Sequence, residues 1–316
     1  MKRSILKTTA GRLLSAAGAL LCTSALFAGA SAQAPAPHQA PAPRQSQAQG
    51  DMQLCVFSSG RLNLDKSILQ NGASGKVQIP VGFYLIRHPK GNILFDTGNN
   101  DRIINEPNYW GPLIGALDPE RTPEIAIDAQ LSRVNVRPDD VRYVVLGHFH
   151  ADHAGNVGKF PNSTIVYQRD DLRAAFWPAP GYATFYLTGD FGMLRSGVAQ
   201  AMPARQPVIE LDGDLDLLGD GSVLVHRTVS HTPGSQMLVV RLPQAGTVVL
   251  TSDAVYLKEN LERNLLPSVG SVYDPTGMLD AYAWVRRLRD TENATVMYAH
   301  DPDEFKSLRH APDCYS

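Results

Sequence analysis

A run of histidine and aspartate side chains follows one strongly apolar segment of this 316-residue chain. The segment 141–147 (VRYVVLG) leads directly into His148, His150, Asp152 and His153. His148 and His150 are two residues apart, so on extended backbone their side chains point to the same side. Neutral imidazoles and carboxylates are the usual ligands of zinc and related divalent ions. This pattern at the end of a strand predicts a metal site rather than an unrelated surface histidine cluster.

Three further candidate ligands occupy the same kind of position. His231, Asp253 and His300 each come directly after a strand-like apolar segment. Taken alone, such a histidine is usually structural, and such an aspartate usually caps a turn. With the first run they make seven ligand side chains. Seven are too many for one four-coordinate ion, but they suit two ions roughly 3.5–4 Å apart that share a bridging carboxylate. The other histidines lack this context and are predicted not to be ligands: His38, His88, His226 and His310.

The segments that must position these residues are mostly strands. Thr122 is a candidate cap of one helix, with Pro123 at its first position, and 278–289 is an amphipathic helix. The stretches 99–121 and 176–202 read as irregular. Strands with helices interspersed suit a sheet sandwich with helices outside, a pattern that generic α/β folds also share. Strands are predicted from Met52 onward and over 80–88, 92–98, 141–147, 163–168, 222–230, 236–242, 246–252 and 295–299.

The N-terminal segment has the three regions of a secretory signal peptide. The cationic stretch MKRSILK is followed by the apolar run LLSAAGALLCTSALF and by the small-residue pattern Ala30-Ser31-Ala32. A membrane anchor would need a longer and less interrupted apolar run. We therefore expect removal of residues 1–32, a flexible Ala/Pro/Gln-rich linker over 33–50, and one folded domain over 51–316. The expected location is the periplasm or the cell exterior.

Export would leave two cysteines, Cys55 and Cys314. Two thiols in an oxidising compartment can pair. We therefore predict a disulfide that ties the first strand to the C-terminal tail, the alternative being two separate thiols.

The motif HFHADHAGN (148–156) is similar to the metal-binding motif of the metallo-β-lactamase superfamily. The likeness narrows to the N-acyl homoserine lactonases, and it covers nearly all of residues 52–316. The motifs that occur in that family's order and spacing are LCVFSSGRLNLDKSIL, IPVGFYLIRHPKGNILFDTG, HFHADHAGN, SHTPGSQ, TSDAVYLKEN and YAHD. The resemblance implies an α/β fold of the metallo-β-lactamase type, an αββα sandwich.

The resemblance also implies roles for the site residues. Two divalent ions are expected, zinc in first place, although iron, cobalt or manganese also suit such ligands. Their bridging hydroxide would attack the lactone carbonyl, Tyr256 would stabilise the oxyanion, and Asp152 would pass a proton to the departing ring oxygen. The alternative for Tyr256 is packing, with its hydroxyl on a backbone group. Asp96 would orient the ligand loops. One ion would be held by His148, His150 and His231, the other by Asp152, His153 and His300, with Asp253 as the bridge.

Two departures from the family bear on the acyl chain of the substrate. Ala151 stands where well-known members carry an aromatic residue that touches this chain, and Ser235 replaces a second histidine after the TPG turn. We expect the aromatic residues of the two irregular stretches to shape the acyl pocket instead. They are Tyr109, Trp110, Trp177, Tyr182, Phe185 and Tyr186.

Other functions of the same scaffold remain as alternatives. An exported organophosphate triesterase, or another lactonase or esterase, resembles this chain in metal motif, size and signal peptide. A non-catalytic metal-binding protein is disfavoured, since storage does not need an open coordination position. The expected partner is a small-molecule lactone. The net charge of −2 gives no indication of a nucleic acid partner. No stable membrane anchor is expected, and the sequence predicts no oligomeric state.

Overall fold

Two β-sheets face each other across a layer of apolar side chains. In the computed structural model the described residues are 52–181, 185–194 and 206–316. The predicted signal peptide (1–32) and linker (33–50) lie outside these residues, as do parts of the irregular stretch 176–202. The buried layer between the sheets takes Phe95 and Val145 from one sheet and Leu238 and Leu250 from the other.

Within the described ranges, the first sheet has six strands that lie side by side in chain order. The pairs β1–β2 and β2–β3 are antiparallel, and the pairs from β3 to β6 are parallel. The second strand begins earlier than predicted, because residues from Lys76 onward pair with the end of the first strand at Asp65. The strands are β1 (Gln53–Asp65), β2 (Lys76–Arg87), β3 (Asn92–Phe95), β4 (Val141–Val145), β5 (Thr164–Gln168) and β6 (Val208–Leu211).

The second sheet, in the part of the chain that the structure describes, has five strands in the order β11-β10-β9-β8-β7. All pairs of adjacent strands in this sheet are antiparallel except β10 and β11. These two run parallel, and the connection between them contains the longest helix, as a parallel crossover requires. The strands are β7 (Leu215–Asp216), β8 (Val223–Arg227), β9 (Gln236–Leu242), β10 (Gly246–Leu250) and β11 (Thr295–Met297).

Helices cover the outer face of each sheet. On the first sheet, Leu131 and Ala175 of two helices pack against β4 and its neighbours. On the second, Met278 and Tyr282 pack against β9 and β10. The αββα arrangement is therefore confirmed. None of the helices in the described part of the chain is both long and apolar enough to span a membrane. The helices are α1 (Lys66–Leu69), α2 (Arg102–Asn105), α3 (Leu113–Leu117), α4 (Ile127–Ser132), α5 (Arg169–Phe176), α6 (Thr188–Phe191), α7 (Lys258–Arg263), α8 (Pro275–Glu292) and α9 (Pro302–Ser307).

The helix predicted to begin at Thr122 starts later. Residues Pro123–Ile125 form a short 3₁₀ turn, and α4 begins at Ile127. The Thr122 side chain makes no capping hydrogen bond. Instead, the carboxylate of Asp101 accepts the backbone N–H of Ile127 at 3.1 and 3.2 Å. The side chain of Asp101, from a distant loop, thus caps the helix in place of Thr122. The local sequence does not show such a long-range cap.

The C-terminal tail is fastened to the edge strand β1. Cys55 and Cys314 form a disulfide with a Cα–Cα distance of 4.4 Å, which confirms the predicted pairing. Leu54 and Tyr315 exchange two backbone hydrogen bonds of 2.8 Å, and the Ala311 N–H donates to Val56 O at 3.0 Å. The tail therefore covers backbone groups that an edge strand would otherwise expose.

Candidate functional site

The loop after β4 holds four of the seven predicted ligands, and its first residues approach a second ligand loop closely. Gly147 precedes His148, and a Cβ atom at Gly147 would lie 2.2 Å from the hydroxyl oxygen of Ser252. The Gly147 N–H donates to Asp96 Oδ1 at 2.6 Å. Only glycine allows this approach, so the loops that carry His148 and Asp253 meet closely.

All seven predicted ligand residues come together at the ends of the strands. Asp253 lies at the centre, with its two carboxylate oxygens facing different histidines. Oδ2 is 3.4 Å from His231 Nε2 and 3.8 Å from His148 Nε2, whereas Oδ1 is 3.1 Å from His153 Nε2 and 3.0 Å from His300 Nε2. The donor atoms around Asp253 thus fall into two groups. One comprises His148, His150 and His231, and the other comprises Asp152, His153 and His300.

Fixed acceptors hold the outer ring nitrogens of three of these histidines. His231 Nδ1 lies 2.8 Å from Ser271 O, and His300 Nδ1 lies 2.9 Å from Pro80 O. A carbonyl oxygen can only accept, so each Nδ1 carries the proton and each Nε2 turns a lone pair toward the centre. His153 Nδ1 is held in the same way, 2.8 Å from Asp96 Oδ2. The placement of Asp96 agrees with the orienting role that the resemblance implied.

The centre of the cluster contains polar atoms that no protein group satisfies. Both ring nitrogens of His148, Nε2 of His153 and Oδ1 of Asp253 are buried without a hydrogen-bond partner among the described residues. Buried polar atoms are rarely left in this state, because desolvation without a partner is costly. Several such atoms converge here, and all of them are imidazole nitrogens or carboxylate oxygens, which are atoms that can bind a metal ion. The cluster therefore fits divalent metal ions.

Burial and nearby charge shift the pKa values of these histidines in opposite directions. Burial away from water lowers the pKa of His148 and His150 well below the ordinary value. Burial also lowers the pKa of His153 and His300, but the nearby carboxylates of Asp253 and Asp152 together outweigh it, so the pKa of both rings is raised. His148 and His150 are therefore neutral at pH 7, which is the form that binds a metal.

Tyr256 lies beside the cluster and is buried. Its Oη is 2.8 Å from His231 Nδ1 and 3.3 Å from Ser271 O, and its ring stacks on His300 with centroids 5.8 Å apart. Burial raises its pKa, so the phenol is protonated at neutral pH. The hydroxyl thus contacts a backbone carbonyl, as the packing alternative for Tyr256 expected, but it also contacts a ligand ring.

Asp171, which sequence reasoning missed, braces two of the ligand loops. Its Oδ2 accepts the backbone N–H of Phe149, between His148 and His150, at 2.8 Å. The loop after His231 also passes close by, since a Cβ at Gly234 would lie 2.5 Å from Asp171 N. Burial raises the pKa of Asp171 to about 7. Its one sequence signal is an acidic first turn in α5.

A largely apolar pocket opens onto the cluster. It has a volume of about 410 Å³, including space open to solvent, and Asp152 and Tyr256 lie on its wall. Of the six aromatic residues expected to shape it, Phe185 alone lines it; Tyr182 lies outside the described residues. Trp177 is 67% exposed, and Trp110 and Tyr186 are buried but do not line the pocket. The apolar lining is Leu62, Leu64, Ile68, Leu69, Ile79, Leu117 and Phe185.

The histidines predicted not to be ligands lie away from the cluster. His88 accepts the N–H of Lys90 at 3.0 Å, and His226 stacks on Trp284 with ring centroids 3.9 Å apart. His310 donates to a backbone carbonyl. His38 lies outside the described residues.

Comparisons with known proteins agree with this geometry. Residues 80–300 match the family model of the metallo-β-lactamase superfamily. The chain is 32% identical over 269 residues to the N-acyl homoserine lactonase AttM of Azorhizobium caulinodans, covering 84% of this chain and 99% of that protein. It is 31% identical over 265 residues to the N-acyl homoserine lactonase AiiA of Bacillus thuringiensis subsp. kurstaki, covering 83% and 98%.

A solved structure of similar fold also carries a ligand. A mutant of Bacillus thuringiensis AiiA, crystallised with N-decanoyl-L-homoserine at its active site, superposes with a TM-score of 0.71 at 29% identity. The alignment covers 83% of this chain and 98% of that one.

Proposed function

Since the chain belongs to the metallo-β-lactamase superfamily and, within it, to the N-acyl homoserine lactonases, we propose that it hydrolyses the lactone ring of N-acyl homoserine lactones. One observation carries the proposal: an apolar pocket ends directly at the seven-residue cluster, with Asp152 and Tyr256 on its wall. Such a pocket suits a substrate with an apolar chain at one end and a hydrolysable ester at the other.

We propose that two divalent ions, zinc in first place, occupy the cluster. The two groups of donors on opposite oxygens of Asp253 support this number. Bound there, the ions would supply Lewis acidity that activates water and polarises the ester carbonyl. One ion would be held by His148, His150 and His231, the other by Asp152, His153 and His300, with Asp253 shared.

The side chains on the pocket wall would divide the remaining work. The pocket would bury the acyl chain, so the lactone ring faces the cluster. The phenol of Tyr256 would donate to the carbonyl oxygen as charge builds there. One water molecule is consumed: its oxygen bonds to the carbonyl carbon while the bond from that carbon to the ring oxygen breaks. Asp152, which has the most exposed side chain among the cluster residues of the second group, would carry a water proton to the departing ring oxygen.

The experiment that tests this function compares substrate classes. Initial rates of the zinc-loaded protein on N-acyl homoserine lactones, a simple δ-lactone, a phosphotriester and nitrocefin should be highest on the homoserine lactones. His148→Ala should abolish the activity, whereas His226→Ala, outside the cluster, should leave it unchanged. A phosphotriester turned over far faster than any lactone would contradict the proposal.

We further propose that the protein is exported and acts in the periplasm or outside the cell. The signal-like sequence of residues 1–32 motivates this, and the Cys55–Cys314 disulfide supports it, because such bonds persist in oxidising compartments. The intact mass of the protein from the periplasmic fraction should lack residues 1–32. A mass that retains them would refute the export proposal.

A further inference from the structure

One aromatic ring completes the apolar wall of the pocket close to the cluster. Among the described residues, Phe185 is the one phenylalanine in the pocket lining, where the other apolar residues are leucine and isoleucine. Its ring centroid is 5.3 Å from that of His150. Its backbone carbonyl accepts the N–H of Ala151 at 3.0 Å. Ala151 offers only a methyl group here, so the wall beside His150 is built by a residue from a different segment.

The segment that carries Phe185, residues 185–194, is also held by one apolar and one polar set of side-chain contacts. Phe191 is fully buried and packs edge-on against Phe149 and Phe176, with ring centroids 5.2 and 5.3 Å apart. The second contact is polar: Tyr109 Oη donates to Asp190 Oδ1 at 2.5 Å. Tyr109 belongs to the loop between α2 and α3, so the bond ties the segment that carries Phe185 to that loop.

The polar contact is tightly built. Asn100 Nδ2 donates to the same oxygen of Asp190 at 2.7 Å and to Gly155 O at 2.6 Å. Gly189 allows the approach, because a Cβ atom there would lie 2.8 Å from Tyr109 Oη. Asp190 is 2% exposed, and it forms no ion pair with any residue in the described ranges.

A buried carboxylate without an ion pair is an expensive way to hold a loop. Its desolvation cost is only partly offset by hydrogen bonds, and an apolar residue of similar volume would often stabilise the fold more. The carboxylate instead provides a directional contact, because Tyr109 and Asn100 both donate hydrogen bonds to the same oxygen of Asp190. The contact therefore fixes where the segment lies, and so where Phe185 lies.

We propose that Phe185 determines the acyl-chain preference of this site and that the buried contact of Asp190 with Tyr109 positions it. Phe185 would touch the substrate, whereas Asp190 and Tyr109 would act only through Phe185. The inference rests on the proposed lactonase function and adds the residue that sets its substrate range. Apolar contact grows with the area that the acyl chain buries. Loss of the ring therefore costs a long chain more than a short one.

The test measures the ratio of kcat/KM for N-decanoyl- over N-butyryl-homoserine lactone. Phe185→Leu should lower this ratio by about 10-fold. Tyr109→Phe, which keeps the ring but removes the donor, should lower it in the same direction by a smaller factor. Asp190→Asn keeps an oxygen that can accept from Tyr109 and should retain the wild-type ratio. Tyr143→Phe, on β4, is the matched control for loss of a tyrosine hydroxyl.

Two outcomes would overturn the inference. An unchanged or higher ratio in Phe185→Leu removes the specificity role. A wild-type ratio in Tyr109→Phe, with a lowered one in Phe185→Leu, removes the positioning role, even if Tyr109→Phe is less stable. Calorimetric binding of the products N-decanoyl- and N-butyryl-homoserine gives the same comparison without turnover. Loss of hydrolysis with intact chain-length dependence of binding would therefore contradict the proposed function and not this inference.

Discussion

Replacing Tyr256 by phenylalanine separates two roles that its position allows. The hydroxyl lies 2.8 Å from His231 Nδ1 and 3.3 Å from Ser271 O, on the wall of the pocket. It could stabilise the substrate oxygen in the transition state, or it could only steady a ligand ring. Tyr256→Phe keeps the buried ring and its packing and removes the hydroxyl alone.

The structure sets different sizes for the two effects. His231 Nδ1 keeps its 2.8 Å contact with Ser271 O when the hydroxyl is lost. The positioning role of Tyr256 is therefore worth at most one neutral hydrogen bond, about 0.5–1.5 kcal/mol, or roughly 2- to 13-fold in metal affinity. A donor aimed at a developing oxyanion is worth more in the transition state than in the ground state. We expect kcat/KM on homoserine lactones to fall by about 10- to 100-fold, or about 1.4–2.7 kcal/mol.

The assay measures both quantities on the same protein. Zinc affinity is obtained by competition with a chelator, and kcat/KM is measured at saturating zinc. The expected result is a large loss of kcat/KM with near-normal zinc affinity. Tyr282→Phe is the matched control, because its buried hydroxyl donates to Leu265 O at 3.1 Å away from the cluster. An unchanged kcat/KM at full metal loading would refute the oxyanion role and leave Tyr256 as a packing residue.

Four further results are expected. Dialysis against a chelator should abolish hydrolysis and added zinc should restore it, with about two ions per chain by elemental analysis; saturation at one ion would contradict the two-ion site. Asp171→Ala should weaken zinc binding by about 10- to 100-fold, because the Phe149 amide loses its acceptor, whereas Asp171→Asn should retain most of it; equal losses would exclude a bracing role. Burial raises the pKa of Asp190 to about 7 in the folded state, whereas its value in the unfolded chain is near 4. The folded state therefore binds this proton more tightly than the unfolded state does. The free energy of unfolding should therefore fall by up to about 4 kcal/mol as the pH rises from about 4 to about 7. Denaturant melts at about pH 5 and about pH 8 should show a smaller fall for Asp190→Asn than for the wild type. Cys314→Ser should lower the free energy of unfolding by about 2–5 kcal/mol in oxidising buffer, and wild type with a reducing agent should match it; no difference in oxidising buffer would mean that the disulfide does not stabilise the fold.

The ligand cluster could be predicted because every member follows a strand. His148 comes after β4, Asp253 after β10 and His300 after β11, and the structure places these strand ends at one edge of the sandwich. A strand end is visible in sequence as the point where an apolar run stops. The apolar layers were equally visible, since β9 and the C-terminal half of β4 are buried on both faces and their sequences are nearly continuous apolar runs.

The pocket wall could not be predicted in the same way. Phe185 and Tyr109 lie in stretches without apolar periodicity, so sequence could name the aromatic residues but could not say which one faces the pocket. Their placement depends on contacts across 81 residues of chain, such as the bond from Tyr109 to Asp190. The helix cap from Asp101 to Ile127 escaped prediction for the same reason. Long-range polar contacts leave no local pattern.

The orientation of the ligand rings shows a further limit, which is chemical. His231 and His300 are each held through Nδ1 by a backbone carbonyl, of Ser271 and of Pro80. Every residue has such a carbonyl, so no side-chain type marks the partner, and a substitution at either position leaves the acceptor in place. His153 differs, because its partner is the side chain of Asp96, the one residue for which the family resemblance implied an orienting role. Sequence therefore reveals the residues that bind, and it reveals those that orient them only where a side chain does the orienting.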